Sequence, residues 1–441
     1  MIRIGNPATW VFAAALGLLV LSHPARAQQL SVTPSKPSGV YARGEKIAWD
    51  VKVIGEGADK VTSARYQIRK GGGVSIAEGT LDLSAAAGGT GRIETTQTEP
   101  LAYLAEVKAT GADGKEIRAL GGAAVDPQTV RPSIPRPADF DAFWEKNLRE
   151  LAAVPLNPLV ESGDGGREGV EYAKVTLDNV GGAKVRAQLA RPRAGAKLPA
   201  LVIVQWAGVY GLNKNWVTDR AAEGWLVLNV MPHDLPIDET PEFYKKAGET
   251  TLREYGSIGN HSRETSYMRK MLLGDVQATK YLMSRPDWDG KTLVVSGTSM
   301  GGYQAIALAA LQPKVTAALA NVPAGCDQAA KVAGRAVPWP YWVQRNVKDN
   351  EADIIEASRY YDDFIFAARV RVPVLVSLGL IDTTCPPTGI LAMANALKGP
   401  KEVVILPLSD HQGRNNTQRP YYERVGVWMR DLKDGKPAPA K

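Results

Sequence analysis

The chain has 441 residues, of which 44% are hydrophobic and 22% charged, and a formal charge of +7. That is enough for two domains with sizeable cores. The basic residues are scattered without a basic block, which excludes a nucleic-acid track.

Arg3, the apolar run from Val11 to Leu21 and the small-x-small site Ala25-Arg26-Ala27 predict a signal peptide over residues 1–27. Gln28 becomes the first mature residue, and the protein is expected in the periplasm or secreted. The alternative is an uncleaved anchor, for which the apolar run is short. Loss of Arg3 and Arg26 would lower the charge by two, from +7 to +5. No later stretch reads as a membrane helix, so no membrane contact is expected after cleavage.

Residues 28–130 read as a small all-β, sandwich-like accessory domain. Ile47, Trp49, Val51 and Val53 alternate with Ala48, Asp50 and Lys52, giving a strand with one apolar face. Ala64–Arg69 and Leu101–Ala109 continue the pattern. Gly71-Gly72-Gly73, Gly88-Gly89 and Asp113-Gly114 are turn material. The region has no histidine and no catalytic spacing. Carbohydrate binding and a packing or spacer role both fit it.

Four prolines, at 127, 132, 135 and 137, mark an extended connector. Asp139 then stands as cap of a helix running to about Ala153, with Phe140, Phe143 and Trp144 on one face. Residues 131–441 form the predicted catalytic domain. From about residue 170, strands at Val185–Ala190, Leu201–Gln205, Trp225–Val230, Val315–Ala320, Val374–Leu378 and Glu402–Leu406 alternate with helices. The longest helix covers about Glu264 to Ser284. This is an α/β pattern: a mostly parallel sheet covered on both faces, with its active site at the carboxyl ends of the strands.

The chemistry concentrates at Gly297-Thr298-Ser299-Met300-Gly301, between the apolar run Leu293-Val294-Val295 and the helix that starts with Gly302-Tyr303. A serine on a sharp strand-to-helix turn presents its hydroxyl at the top of a sheet. It needs a base, and beyond the leader there are only three histidines: His233, His261 and His411. His411 follows the last predicted strand, and Asp382 follows the strand Val374–Leu378. The order Ser299, Asp382, His411 is that of a sheet-based serine hydrolase. Asp410 is a rival orienter, but adjacent side chains point apart, so Asp382 is preferred. The oxyanion donors are expected to be the backbone N–H groups of Met300 and Val209, with Tyr210 as the second choice for the latter.

Tyr210, His233, Trp339 and Trp342 are the candidates for substrate contact. For His233 the competing role is a loop histidine; for the tryptophans it is burial. His233 and His261 with Asp234 and Glu264 match no firm metal spacing, so neither a metal nor a cofactor is assigned. Cys326 and Cys385, the two cysteines, lack metal or redox spacing; a disulfide between them and two buried thiols remain open.

From about Ile134 to the C-terminus the chain resembles the acetyl xylan esterase and cephalosporin C deacetylase family of α/β-hydrolases. The resemblance rests on Pro137-x-Asp139-Phe140-Asp141-x-Phe143-Trp144 and Pro155-Leu156-Asn157-Pro158. It continues in Asp289-Gly290, Asn321-Val322-Pro323 with Cys326-Asp327, Asp382-x-x-Cys385-Pro386-Pro387 and Gly399-Pro400-Lys401-Glu402. It implies an α/β-hydrolase fold, a Ser299–His411–Asp382 triad, no cofactor, removal of small acyl groups, mainly acetyl, from sugars, and a homo-oligomer in many members. The chain departs from the family pattern where Met231-Pro232-His233 replaces Arg-Gly-Gln, Met300 replaces glutamine, Ala207-Gly208-Val209 replaces His-Gly-Tyr, and Gln412 replaces glutamate. Two other readings stand beside this one: a serine peptidase similar to the prolyl oligopeptidase group, to which Gly301-Gly302-Tyr303 points, and a non-catalytic carbohydrate-binding protein on a retired hydrolase fold.

Overall fold

A computed structural model of the protein describes residues 28–84, 89–343 and 349–439; the expected signal peptide lies outside them. Among the described residues no helix is long and apolar enough to cross a membrane.

The first eight strands form the all-β region. They are β1 (Gln29–Pro34), β2 (Val40–Tyr41), β3 (Lys46–Ile54), β4 (Ser63–Lys70), β5 (Val74–Asp82), β6 (Thr90–Thr96), β7 (Ala102–Thr110) and β8 (Glu116–Val125). One sheet has the order β1-β3-β6 and the other β2-β8-β7-β4-β5. The alternation in β3 does what it predicts: Ile47, Trp49 and Val51 are fully buried. Trp49 crosses to the other sheet, where its indole N–H donates to the carbonyl of Gly122 at 3.2 Å.

The second unit is built on nine strands: β9 (Leu159–Gly163), β10 (Val170–Asp178), β11 (Lys184–Pro192), β12 (Leu198–Val204), β13 (Leu226–Met231), β14 (Trp288–Thr298), β15 (Ala317–Asn321), β16 (Val374–Gly379) and β17 (Lys401–Leu406). Their order is β17-β16-β15-β14-β12-β13-β11-β10-β9. Strands β12 to β17 pair in parallel, while β9, β10 and β11 form an antiparallel edge. Every residue of β13, β15 and β16 is buried. Strands covered by helices on both faces read as continuous apolar runs for this reason. The parallel arrangement brings the carboxyl ends of β12, β14, β16 and β17 to one side.

Helix Phe140–Ala152 buries Phe140, Phe143 and Trp144, which pack against Tyr360, Tyr361 and Phe366. Asp139 precedes it, but its side chain makes no capping bond. Its carboxylate is taken instead by Arg263 at 2.7 Å and by the Tyr360 hydroxyl, a tertiary contact that outcompetes the local one. The long helix spans Tyr267–Ser284, and the hydroxyl of Ser266 accepts from the N–H of Met268.

The proline-rich connector is pinned to the α/β unit. The Asp327 carboxylate accepts from the Ser133 N–H at 2.8 Å and hydroxyl at 2.7 Å. The all-β region also docks directly: the Val74 N–H donates to Gly334, the Ala336 N–H to Gly71, and the Ala102 N–H to the Thr388 hydroxyl. A Cβ on Gly122 would stand 2.4 Å from the Leu380 side chain and carbonyl, so only glycine allows this approach. Leu380 opens the loop that carries Asp382.

Candidate active site

Ser299 sits between β14 and the helix Met300–Leu311 with φ 58° and ψ −118°. A non-glycine residue there carries strain of about 1–3 kcal/mol, of a kind concentrated at functional sites. The turn is tight enough to dictate its glycines. A Cβ on Gly297 would stand 2.4 Å from the backbone of Gly301, and one on Gly301 would stand 2.4 Å from the carbonyl of Val204. The turn is held by the Ser299 N–H donating to Asn321 and by the Ser299 carbonyl accepting from Tyr303 and Ala324.

The Ser299 hydroxyl lies 2.9 Å from Nε2 of His411, and Nδ1 of the same ring lies 2.7 Å from Oδ2 of Asp382. The other carboxylate oxygen of Asp382 accepts from the N–H groups of Thr384 and Cys385, each at 2.8 Å. Asp382 is thereby fixed in rotation with one oxygen free for the imidazole. An Nδ1–H directed at Asp382 leaves Nε2 unprotonated and able to accept from serine. Asp410 faces away: its carboxylate accepts from the N–H and guanidinium of Arg414, holding the loop rather than the ring.

The loop after β12 carries the expected second oxyanion donor, Val209. His233 Nε2 is 2.9 Å from the Gly208 carbonyl, and its Nδ1 is 2.7 Å from the Tyr267 hydroxyl. Since the carbonyl can only accept, His233 donates from Nε2 and accepts the tyrosine proton at Nδ1. The Gly208 carbonyl and the Val209 N–H belong to one planar peptide unit and point in opposite directions. Gripping the first therefore aims the second. The Gly208 N–H donates to the Tyr255 hydroxyl at 3.0 Å, and that hydroxyl contacts Met300 Sδ at 3.3 Å, tying the loop to the serine turn.

His233 is thus a buried loop histidine, 1% exposed, and not a substrate contact: both ring nitrogens are spent. Burial pushes its pKa down to about 4. The unfolded ring, near 6.5, binds a proton that the folded ring refuses, so stability is complete above pH 6.5 and falls as the pH drops towards 4. The contribution is about 3 kcal/mol. The expected result is a smaller acid-induced loss of denaturation free energy between pH 7 and pH 4 in His233→Gln than in wild type; identical losses would contradict it.

The other substrate-contact candidates divide. The Tyr210 hydroxyl turns back to the Trp206 carbonyl at 2.8 Å, and its ring stacks on Trp206, so it braces its own loop. Trp342 is 2% exposed, donates to the Gly256 carbonyl and packs on Tyr361; it is core. Trp339 lines a cleft of about 590 Å³ together with Val209, Tyr255 and Tyr341. Tyr255 and Tyr267 escape sequence reasoning, because they lie outside any strand alternation and their roles depend on tertiary contacts.

Cys326 and Cys385 are buried free thiols, not a disulfide. Cys326 directs its thiol to the carbonyls of Pro323 and Ala324. Burial pushes both thiols well up. Potential ligand atoms of Asp382, Cys385 and His411 fall within 4.8 Å of one another. With a neutral thiol and an imidazole already held by Asp382 and Ser299, the set suits proton transfer better than metal binding. His261 is exposed. Asp234 is taken by the Lys184 N–H, and Glu264 by Ser262 and Arg263.

Comparison with known proteins agrees with this architecture. The family model described as acetyl xylan esterase (AXE1) matches residues 126–429. Acetyl esterase Axe7A of Xylanibacter ruminicola is 27% identical over 414 residues, covering 92% of each chain, so the alignment takes in most of the all-β region. Among solved structures, an acetyl xylan esterase from a Paenibacillus species shares the fold with a TM-score of 0.59 at 23% identity, covering 70% of this chain and 98% of its own. Acetyl xylan esterase 1 from a Thermoanaerobacterium species gives 0.58 at 20% identity, covering 69% and 97%. A serine on a strained turn at the carboxyl edge of a mostly parallel sheet, and a family match over more than half the chain, lead to one conclusion: this chain belongs to the acetyl xylan esterase family of α/β-hydrolases.

Proposed function

We propose that the protein is a serine carboxylesterase that removes acetyl groups from carbohydrate esters through an acyl-enzyme. The observation that carries this reading is the chain Ser299–His411–Asp382, with contacts of 2.9 and 2.7 Å, in a member of this family. His411 Nε2 takes the hydroxyl proton as Ser299 Oγ bonds the ester carbon. Asp382 holds the Nδ1–H and stabilises the imidazolium. The N–H groups of Met300 and Val209 stabilise the tetrahedral oxyanion. Collapse breaks the bond to the sugar oxygen, which leaves with the proton from Nε2. Water repeats the sequence and releases acetate.

Residues 131–441 are the catalytic unit in this reading and residues 28–130 an accessory unit. The leader over residues 1–27 directs the protein to the periplasm or outside.

Acetate release from a panel of acetylated oligosaccharides tests the reading, with a peptide amide panel beside it. The expected result is turnover of the esters alone and, on rapid acid quenching, an acetyl adduct on the peptide carrying Ser299. Turnover of amides but not esters, or an adduct elsewhere, would overturn it.

A further inference from the structure

Residues 380–386 connect β16 to the helix Pro387–Ala396 and carry Asp382. One edge of this loop is tied to the end of β17 and to the loop after it, which carries His411. The Leu380 N–H donates to the Leu406 carbonyl at 3.0 Å, and the Ile381 N–H to the Ser409 carbonyl at 3.3 Å. The other edge meets the all-β region.

At the start of the loop, Gly122 of β8 lies so close to Leu380 that a Cβ would overlap the Leu380 carbonyl. Gly122 is itself held from the opposite sheet by the Trp49 indole. Gly39 also abuts Leu380: a Cβ there would stand 2.6 Å from the Leu380 side chain and 3.3 Å from Pro407, which opens the His411 loop. Just past the end of the loop, the Ala102 N–H donates to the Thr388 hydroxyl at 3.2 Å.

In the middle of the loop the contact passes through a strap, residues 334–341. The turn between β4 and β5 grips one end of it. The Val74 N–H donates to the Gly334 carbonyl at 3.1 Å, and the Ala336 N–H donates to the Gly71 carbonyl at 3.0 Å. Gly73 has no room for a Cβ against the Gly334 carbonyl. Further along the strap, the Trp339 N–H donates to the Thr384 carbonyl at 2.9 Å. Thr384 in turn donates its own N–H to Asp382 Oδ1.

Leu380, Asp382 and Thr388 are all buried. The acid loop is therefore packed between the base loop on one side and the all-β region on the other. At Gly73 and Gly122 main chain meets main chain, so no rotamer is available to absorb a shift, and close-packed contacts of this kind transmit displacement. Displacing a reacting group by about 1 Å can cost about a hundredfold in rate.

We propose that the all-β region is a positioning element of the catalytic triad: it holds the Asp382 loop from outside, directly at Gly122 and through the strap at Gly73, and so sets how the acid meets His411. The proposal rests on the serine-triad reading. The two glycines touch no substrate and act through Asp382.

Gly122→Ala and Gly73→Ala in the full-length chain test it, with Ile47→Ala as control. Ile47 is fully buried and lies on β3, in the sheet that carries none of these contacts; its truncation leaves a cavity that destabilises the region. Hydrolysis of p-nitrophenyl acetate is measured well below the melting temperature of every variant. Gly122→Ala is expected to lower kcat roughly tenfold to a hundredfold, with KM within about twofold of wild type. Gly73→Ala should act in the same direction with a smaller effect. Ile47→Ala should lower the melting temperature and leave kcat unchanged. The decisive comparison is a double-mutant cycle: added to Asp382→Ala, Gly122→Ala should change the residual kcat by less than about twofold, because the group it displaces is gone. An equal loss in both backgrounds, or a loss in Ile47→Ala matching that of Gly122→Ala, would overturn the proposal. Should Gly122→Ala fail to fold, the same cycle with Gly73→Ala decides. Diisopropyl fluorophosphate, which phosphorylates an activated serine whatever the natural substrate, supplies a second rate. A wild type labelled at Ser299 that cleaves no acetyl ester would end the esterase reading, and the cycle is then read from labelling rates. Neither labelling nor hydrolysis would remove the triad reading and this proposal with it.

Discussion

Ser299→Ala is expected to lower kcat for acetyl ester hydrolysis roughly 10⁵-fold or more while leaving the fold intact. The hydroxyl is placed 2.9 Å from an imidazole nitrogen, and among the described residues no alternative nucleophile is equally armed. Cys385 is the nearest rival, but burial holds its thiol protonated, and a thiol is a poor nucleophile in that form. Alanine keeps the Cβ that serine already places at φ 58°, so the variant inherits the same backbone strain. The melting temperature should stay within a few degrees of wild type. Steady-state acetate release and a thermal melt on the same preparation check both halves. A variant retaining about a tenth of wild-type turnover would mean that Ser299 is not the nucleophile.

Asp382→Asn should cost about 10⁴-fold in kcat, for a reason visible in the hydrogen-bond directions. Oδ1 of Asp382 receives two backbone N–H groups, so the asparagine must turn its carbonyl oxygen to them. Its NH2 then faces Nδ1 of His411 and donates. The ring is driven to the tautomer with the proton on Nε2, which donates towards Ser299 instead of accepting from it. Asp382→Ala should be less disruptive to the tautomer, because it leaves Nδ1 free to bond water. The discriminating measurement is the pH–rate profile of kcat in both variants beside their melting curves. Near-wild-type kcat for Asp382→Asn at neutral pH would show that Asp382 does not set the tautomer.

Much of this geometry could be read before any coordinates, for a physical reason. Ser299, Asp382 and His411 each follow a parallel strand, and parallel strands announce themselves as short apolar runs. A period-2 alternation likewise exposed β3. Other parts were hidden because nothing local encodes them. Strand β9 is exposed at every residue and lacks an apolar face to signal it. Strands β5 and β6 are rich in polar residues and expose most of one side. For His233 and Trp342 the sequence leaves substrate contact and a structural role equally open, and contacts distant along the chain decide for burial: Tyr255 and Tyr267 enclose the first, Gly256 and Tyr361 the second. The Asp139 carboxylate would have served as a helix cap had Arg263 and Tyr360 not been folded against it.

The meeting of Gly122 with Leu380 has a consequence for how such proteins diverge. The two halves of this chain touch at the base of the loop that orients the imidazole, and the contact admits no side chain on one of its partners. A gene fusion that exchanged the N-terminal half for that of another family member would bring a foreign surface against that loop, and a hybrid enzyme would inherit a misplaced acid. The halves are therefore expected to travel together through evolution, changing by paired substitutions across their seam rather than by shuffling.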